Sequence, residues 1–237
     1  TFLGISSIIG SGWLFAPYRA TQVAGPAALL SWIIGAGVIF LLVMCFAEIA
    51  AMYPKRGLSA IIPTLSHNKY FGFPFAIANW LSVVAVIGLE ADATIQYLIN
   101  LAPSLTTTFF LKGELTNTGV SLSILLIVVY CLLNYWGAKL LTKTNNIMSV
   151  VKLCIPITVG LAAIGCAFHT RNFTHYQHHF ICYGYTSIFT AILTTGIIVA
   201  FNGFQTVISF SSEVKKPGRT IPLSLSLAIG TCLCVYL

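Results

Sequence analysis

Small and polar residues near the start of the chain interrupt an otherwise apolar run. Gly10, Ser11 and Gly12 stand between "SII" and "WLFAP". Glycine costs about 1 kcal/mol relative to alanine inside a helix. In lipid, unwound backbone is tolerated only where it is buried in protein or lines a cavity. Two interpretations follow: a local break in the helix, or close helix packing through small residues.

A later apolar run contains a similar interruption, where Asn202 and Gly203 follow Phe201. A broken helix frees amide groups on one half and carbonyl groups on the other. The N-terminal end of a half-helix attracts an anion, and the carbonyls attract a cation. A molecule with a carboxylate and an ammonium on neighbouring atoms matches these two poles. We therefore expect a carboxylate site at residues 10–12 and a contribution to an ammonium site at residues 201–203.

Ionisable side chains also occur inside apolar runs. Lys152 lies seven residues after Asn145, so its amine either reaches back to the membrane surface or acts within the membrane, where ionisable residues are functional candidates. Glu90 and Asp92 lie two residues apart in another run. They are either a structural hydrogen-bonded pair or carboxylates that line a cavity.

The elements that must position these residues are transmembrane helices. Apolar residues make up 57% of the chain and charged residues 7%, and the mean hydropathy is +0.92. Soluble domains average about 25% charged residues, so the composition predicts an all-α, multi-pass membrane protein. The formal charge of +7 does not indicate nucleic-acid binding, because cationic residues of membrane proteins gather in cytoplasmic loops.

Seven apolar runs approach the roughly 20 residues that a spanning helix needs. They lie near 1–24, 26–53, 72–102, 119–138, 145–168, 186–212 and 221–237. Turn residues predict the breaks between them, at Gly25 with Pro26, Pro54, Pro103, Gly137, and Pro217 with Gly218. Both ends of the chain are apolar, which predicts a fold truncated in or near the seventh helix of a longer protein.

The distribution of Lys and Arg predicts the orientation. If the first helix runs outward, the inner loops carry Lys55, Arg56, Lys69, Lys139, Lys143, Lys215, Lys216 and Arg219. The outer side then carries only Lys112, Arg171 and Arg19. The start of the chain is therefore expected on the cytoplasmic side.

The two interruptions fall in the first and sixth runs, five helices apart. Corresponding broken segments indicate a secondary transporter built from inverted repeats. We expect residues 1–168 to form a first five-helix repeat and residues 186–237 to begin the second.

Three segments carry a resemblance to a known family. They are "GISSIIGSGWLFAPYRATQVAGPAALLSWIIG", "FAEIAAMYPKRG" and "AFNGFQTVISFSSEVKKPGRTIP". Together they resemble permeases of the amino acid–polyamine–organocation superfamily, and are most similar to bacterial proton-coupled and aspartate-type symporters. Two residues depart from the family pattern: Gln205 stands where some exchangers carry a gating glutamate, and Leu58 replaces a second glycine after Gly57.

The resemblance implies a proton-coupled amino acid transporter of the bacterial plasma membrane that works by alternating access. Ser11 and the amides around Gly10 and Gly12 would hold the substrate carboxylate. The ammonium would be received by carbonyls of Ile8 and of residues near Val199 and Asn202. Lys152 would take the place of a sodium ion and couple transport to protons. No cofactor, metal or nucleic acid is implied, and the oligomeric state is left open.

The same residues are compatible with some other functions and not with others. An amino acid exchanger and a non-transporting sensor or accessory subunit fit the same residues. An intramembrane enzyme does not, because no apolar run supplies a histidine base and no HExxH motif occurs.

Cysteines and loop histidines receive structural interpretations. The cysteines in apolar runs are expected as small core residues: Cys45, Cys131, Cys154, Cys166, Cys232 and Cys234. Cys166 and Cys182 are the one conceivable disulfide pair. The histidines of "FHTRNFTHYQHHF", which are His169, His175, His178 and His179, are expected in a solvated loop that also carries a glycosylation sequon at Asn172.

Overall fold

A computed structural model describes the chain except for residues 14, 112–113 and 174–179. Side chains are also left undescribed at residues 11, 136–146, 148 and 171–172. Several residues singled out above therefore lie outside the described part: His175, His178, His179, Lys112, and the side chains of Ser11, Lys139, Lys143, Arg171 and Asn172.

The first apolar run contains two α-helices. Helix α1 spans Phe2–Ile8 and α2 spans Phe15–Ala24, with a 3-10 turn at Ser11–Trp13 between them. The α-helix ends because Ile9 turns to an extended conformation, with φ −75° and ψ 104°. The departure from helical geometry thus begins one residue before the Gly-Ser-Gly stretch.

The next elements follow a turn at Gly25–Ala27. Helix α3 spans Ala28–Met52, α4 spans Leu58–Ser66 and α5 spans Lys69–Leu101. Helix α4, a short helix that contains Pro63, was not predicted. Asn68 caps the N-terminus of α5, and its Oδ1 accepts hydrogen bonds from the backbone amides of Tyr70 and Phe71 in the first turn.

The following segment contains an element that an all-α prediction did not include. Helix α6 spans Thr106–Phe109. Strands β1 (Phe110–Leu111) and β2 (Glu114–Leu115) then pair antiparallel as a minimal hairpin.

Helix α7 spans Asn117–Ala167 and joins two runs that were expected as separate helices. The break expected at Gly137 does not occur. The residues that follow, "AKLLTKTNN", contain neither proline nor glycine, and their Lys and Leu residues favour a helix. At 1.5 Å per residue, the 51 residues extend about 77 Å, more than twice the hydrocarbon thickness of a bilayer.

The sixth run is divided twice. Its helices are α8 (Tyr185–Thr194), α9 (Ile197–Ala200) and α10 (Gln205–Ser209). The first interruption is at Thr195 and Gly196, where Gly196 has φ +86°, and was not predicted. The second covers residues 201–204, where Gly203 has φ +115°. Helix α11 follows over Pro217–Tyr236.

Within the described residues, five helical segments are long and apolar enough to cross a membrane. They are Phe15–Met52, Lys69–Leu101, Asn117–Tyr135, Ser149–Ala167 and Pro217–Tyr236. The chain is thus an all-α integral membrane protein apart from the small hairpin. The expectation that the cysteines of the apolar runs are core residues is wrong for all but Cys232, because the other five side chains are exposed. Cys166 and Cys182 are both free thiols.

Two compact units divide the chain. The first comprises Thr1–Ser59 and Asn146–Leu237, and the second comprises Ala60–Asn145. In the first unit, α3 packs against α11 and α8, and the buried Ser31 hydroxyl donates to the Ile188 carbonyl at 3.0 Å. In the second unit, the Ser123 hydroxyl donates to Asp92 at 2.9 Å and joins α7 to α5.

Candidate functional site at the interrupted helices

The C-terminal carbonyls of α1 organise the candidate site. The last four carbonyls of any α-helix have no partner within the regular helix. In α1, the Ile5 carbonyl accepts from the amide of Ile9 at 2.9 Å. The Ser6 carbonyl accepts from the Lys152 amine at 3.4 Å, and the Ile8 carbonyl accepts from the Tyr236 hydroxyl at 3.4 Å. This negatively polarised helix end therefore draws donors from α7 and α11.

The Ser7 carbonyl faces the second interruption. An added Cβ at Gly203 would collide with the carbonyl oxygen of Ser7 and would lie 3.1 Å from the Ile8 nitrogen. The φ of +115° at Gly203 is also one that other residues rarely adopt. Glycine is required here for both reasons, and the two interrupted segments meet backbone to backbone.

The second interruption is capped by its own side chains. The Gly203 amide donates to Gln205 Oε1 at 2.9 Å, and Gln205 Nε2 donates to Asn202 Oδ1 at 2.6 Å. The amide of Asn202 donates to the Val199 carbonyl at 2.9 Å. Gln205, noted in the sequence as a departure from exchangers, thus closes the break that it follows.

A buried aromatic cluster lies beside both interruptions. Trp32, Phe201 and Tyr236 have 2%, 0% and 5% of their surface exposed, and their ring centroids are 4.9 to 5.9 Å apart. The Tyr236 hydroxyl contacts the Ala200 carbonyl at 3.1 Å as well as that of Ile8. One side chain of α11 therefore bridges the carbonyl ends of α1 and α9.

The first interruption is more open than the second. Gly12 is exposed, and among the described residues beyond its chain neighbours no atom lies within 4 Å of the position that its Cβ would occupy. In the 3-10 turn, the Trp13 amide donates a long hydrogen bond to the Gly10 carbonyl at 3.5 Å. Helix α2 begins at Phe15, and the first amides of any helix have no partner within the helix itself. The exposed Gly12 thus lies shortly before a helix N-terminus.

The structure brings together part of the set expected from sequence. Ile8, Phe201 and Gly203 meet at the interruptions, and Lys152 reaches the end of α1. Glu90 and Asp92 belong to the second unit, where Asp92 is held by Ser123.

Sequence reasoning missed Tyr236 and the Ser6 and Ser7 carbonyls. A tyrosine next to the last residue of an apolar run carries no local signal, but its two polar contacts lie 228 and 36 residues away.

A family model described as amino acid permease matches residues 1–237. The chain belongs to the amino acid permease family. This places it in the amino acid–polyamine–organocation superfamily, as the motifs indicated, and the family is one of transporters rather than enzymes.

Individual relatives align along almost the whole chain. The glutamate/serine transporter AimA of Bacillus subtilis is 39% identical over 241 residues, covering 99% of this chain and 44% of the relative. The aspartate-proton symporter of the same organism is 33% identical over 236 residues, covering 99% and 44%. The human cationic amino acid transporter 4 is 23% identical over 245 residues, covering 100% and 38%.

The chain therefore spans less than half the length of these relatives. No solved structure matches it with statistical significance.

Proposed function

We propose that the protein to which this chain belongs carries an amino acid across the membrane together with a proton, by alternating access. The observation that carries the proposal is the meeting of two interrupted helices, with the Ser7 carbonyl against Gly203 and a shared donor at Tyr236. Interrupted helices that expose main-chain dipoles are how transporters of inverted-repeat design bind charged substrates.

The first interruption is the proposed carboxylate site. Amides at Gly10, Ser11 and Gly12 precede the N-terminus of α2, which favours an anion. The open space next to Gly12 gives a carboxylate room to approach them.

Carbonyls at the ends of α1 and α9 form the proposed ammonium site. Tyr236 offers one O–H to the carbonyls of both Ile8 and Ala200, so it satisfies them incompletely. A carbonyl oxygen can accept two hydrogen bonds, and an ammonium would add charge-assisted bonds that are stronger than those of a hydroxyl. The Val199 carbonyl, which would also contribute to this site, already accepts from the Asn202 amide at 2.9 Å and from the Phe201 amide.

Lys152 is the proposed proton-coupling residue. Its amine contacts the Ser6 carbonyl at the negatively polarised end of α1. A neutral amine would be attracted more weakly, so loss of the proton would loosen this contact between α7 and α1. The 33% identical relative named as an aspartate-proton symporter supports the choice of proton as the coupling ion.

The proposal extends to the repeats, the orientation in the membrane and the cellular location. Residues 1–168 would form one five-helix repeat and residues 186–237 the start of a second, inverted one. The basic residues near 55–56 and 215–219 would face the cytoplasm, with the start of the chain on that side. Bacterial relatives support a location in the plasma membrane.

Uptake by the full-length protein in proteoliposomes tests the proposal. L-glutamate, L-serine and L-aspartate would be offered under an inward proton gradient, with and without sodium. We expect gradient-driven accumulation without sodium, and we expect Lys152→Ala to abolish it while Lys69→Ala, at another lysine, does not. Gradient-independent exchange in the wild type would favour an exchanger, and binding without flux would favour a sensor.

A further inference from the structure

Four polar contacts join residues 53–59 to residues 209–213, and we call these two segments together the clasp. The first segment contains the loop after α3 and the start of α4, and the second contains the end of α10 and the 3-10 turn after it. They are separated by about 150 residues in the sequence, since the individual contacts span 150 to 157 residues. Their association is therefore a tertiary feature, not a local turn.

The end of α10 is held by the backbone and side chains of the loop. The Gly57 amide donates to the Ser209 carbonyl at 3.1 Å, which satisfies a helix-end carbonyl that has no partner within the helix. The hydroxyls of Ser59 and Ser209 share a hydrogen bond at 3.1 Å.

The segment just beyond α10 extends the clasp. The buried Ser211 hydroxyl donates to the Lys55 carbonyl at 3.3 Å. The guanidinium of Arg56 forms an ion pair with the Glu213 carboxylate, and the two side chains are 78% and 48% exposed.

These contacts are of a kind that can open repeatedly. Exposed ion pairs are individually weak, and the hydrogen bonds of the clasp can be replaced by bonds to water. The interface of α3 with α11 differs, because it buries apolar residues such as Val43, Leu225 and Ile229. The apolar interface between α3 and α11 is thus expected to persist, whereas the polar contacts of the clasp can break and form again.

Helix α10 connects the clasp to the candidate site. Helix α10 has five residues and begins directly after the interruption at 201–204. Helix α10 also contacts α1, where an added Cβ on Gly4 would lie 3.2 Å from Val207. If α10 pivoted at the interruption, its C-terminal end would move most, and the clasp holds that end.

We propose that the clasp opens and closes in each transport cycle, so that residues 53–59 release the end of α10 when the site opens on that side. This inference rests on the proposed function, because it assigns the clasp a role in transport. Interrupted segments serve as hinges when domains or helices rearrange around a ligand.

A reversible cross-link tests the clasp directly. The adjacent hydroxyls of Ser59 and Ser209 allow the double variant Ser59→Cys/Ser209→Cys to be oxidised with little rearrangement. In the full-length protein, we expect the disulfide to form in membranes and to lower uptake about tenfold or more, because a locked segment cannot rearrange. Reduction should restore uptake, and each single variant should be unaffected by the oxidant.

Two results would contradict the proposal that the clasp opens and closes. One is a disulfide, verified by peptide mass, that leaves uptake at the wild-type rate. The other is failure of the disulfide to form, since that would show that the two segments are not held together. If the wild type itself takes up no amino acid, the proposed function fails instead.

A charge reversal supplies a second, independent readout. Arg56→Glu should change the maximal uptake rate about two- to fivefold while leaving the thermal midpoint close to that of the wild type, because an exposed pair adds little stability. Arg56→Glu/Glu213→Arg should return the rate toward that of the wild type. A single reversal without any effect on rate would contradict a role for the ion pair in the cycle.

Discussion

The two interruptions both leave backbone groups without helical hydrogen-bond partners, but their surroundings differ. The second, at residues 201–204, is closed: Gln205 caps Gly203, and Gly203 touches the Ser7 carbonyl. The first, which ends in the 3-10 turn Ser11–Trp13, borders open space at Gly12.

This difference separates two tasks that the same sequence feature could perform. A break filled by its own side chains and by a neighbouring backbone supports the geometry of the site. A break that borders empty space at a helix N-terminus leaves room for a ligand. We infer that the second interruption mainly holds the site together and that the first mainly receives the substrate. The following variants test that division, from the largest expected effect to the smallest.

Gly203→Ala should destabilise the protein most. The new Cβ meets the backbone at Ser7, which cannot move aside as a flexible side chain can, and φ +115° is strained for alanine. We expect a loss of about 3 kcal/mol or no folded protein, measured by thermal unfolding in detergent.

The matched control for this variant is Gly230→Ala, within α11. No atom lies within 4 Å of its Cβ position, and alanine favours a helix. Equal stability of the two alanine variants would contradict the close approach at Gly203.

Tyr236→Phe should affect both stability and transport. It removes the hydroxyl shared by the carbonyls of Ile8 and Ala200, of which the first contact is buried and the second part-buried. We expect a loss of about 1–3 kcal/mol in the free energy of unfolding. Tyr70→Phe, at a side chain that is 89% exposed, should change nothing. Wild-type stability in Tyr236→Phe would mean that the hydroxyl does not join the two helix ends.

Gly12→Ala should leave the fold intact and impair binding. The open space around Gly12 accommodates a methyl group, so the thermal midpoint should match that of the wild type. The methyl group would occupy part of the space proposed for the carboxylate, and we expect KM for uptake to rise about tenfold. An unchanged KM would argue that the carboxylate binds elsewhere.

Gln205→Leu should have the smallest effect of the four. It removes the acceptor for the Gly203 amide and the donor to Asn202. One unsatisfied, part-buried amide predicts a loss of about 1 kcal/mol. Gln22→Leu, at an exposed position on α2, is the control. If Gln205→Leu lost no more stability than Gln22→Leu, water would be replacing the Gln205 side chain at the Gly203 amide.

The sequence predicted the parts of the fold that have local signals. The chain leaves helical geometry beside Gly10 and again at Asn202 and Gly203, where polar and small residues interrupt apolar runs. Gly196 escaped notice because a glycine after threonines in an apolar run is equally typical of helix packing.

The rest depended on tertiary contacts. The role of Tyr236 arises only when α11 lies against α1 and α9. The expected burial of the cysteines was wrong because an apolar run does not indicate which face of its helix packs against other helices. The roles of Lys152, Glu90 and Asp92 stay predictions, although a contact is now known for Lys152 and for Asp92.

The central claim is that main-chain groups at the interrupted helices recognise both charged ends of an amino acid. It is tested most directly by binding to the full-length protein, measured by thermal shift. The ligand would be whichever of L-glutamate, L-serine and L-aspartate is taken up best, compared with its α-amide and its deaminated analogue. We predict stabilisation by the amino acid and none by either analogue at the same concentration. Equal stabilisation by the α-amide or by the deaminated acid would contradict the account.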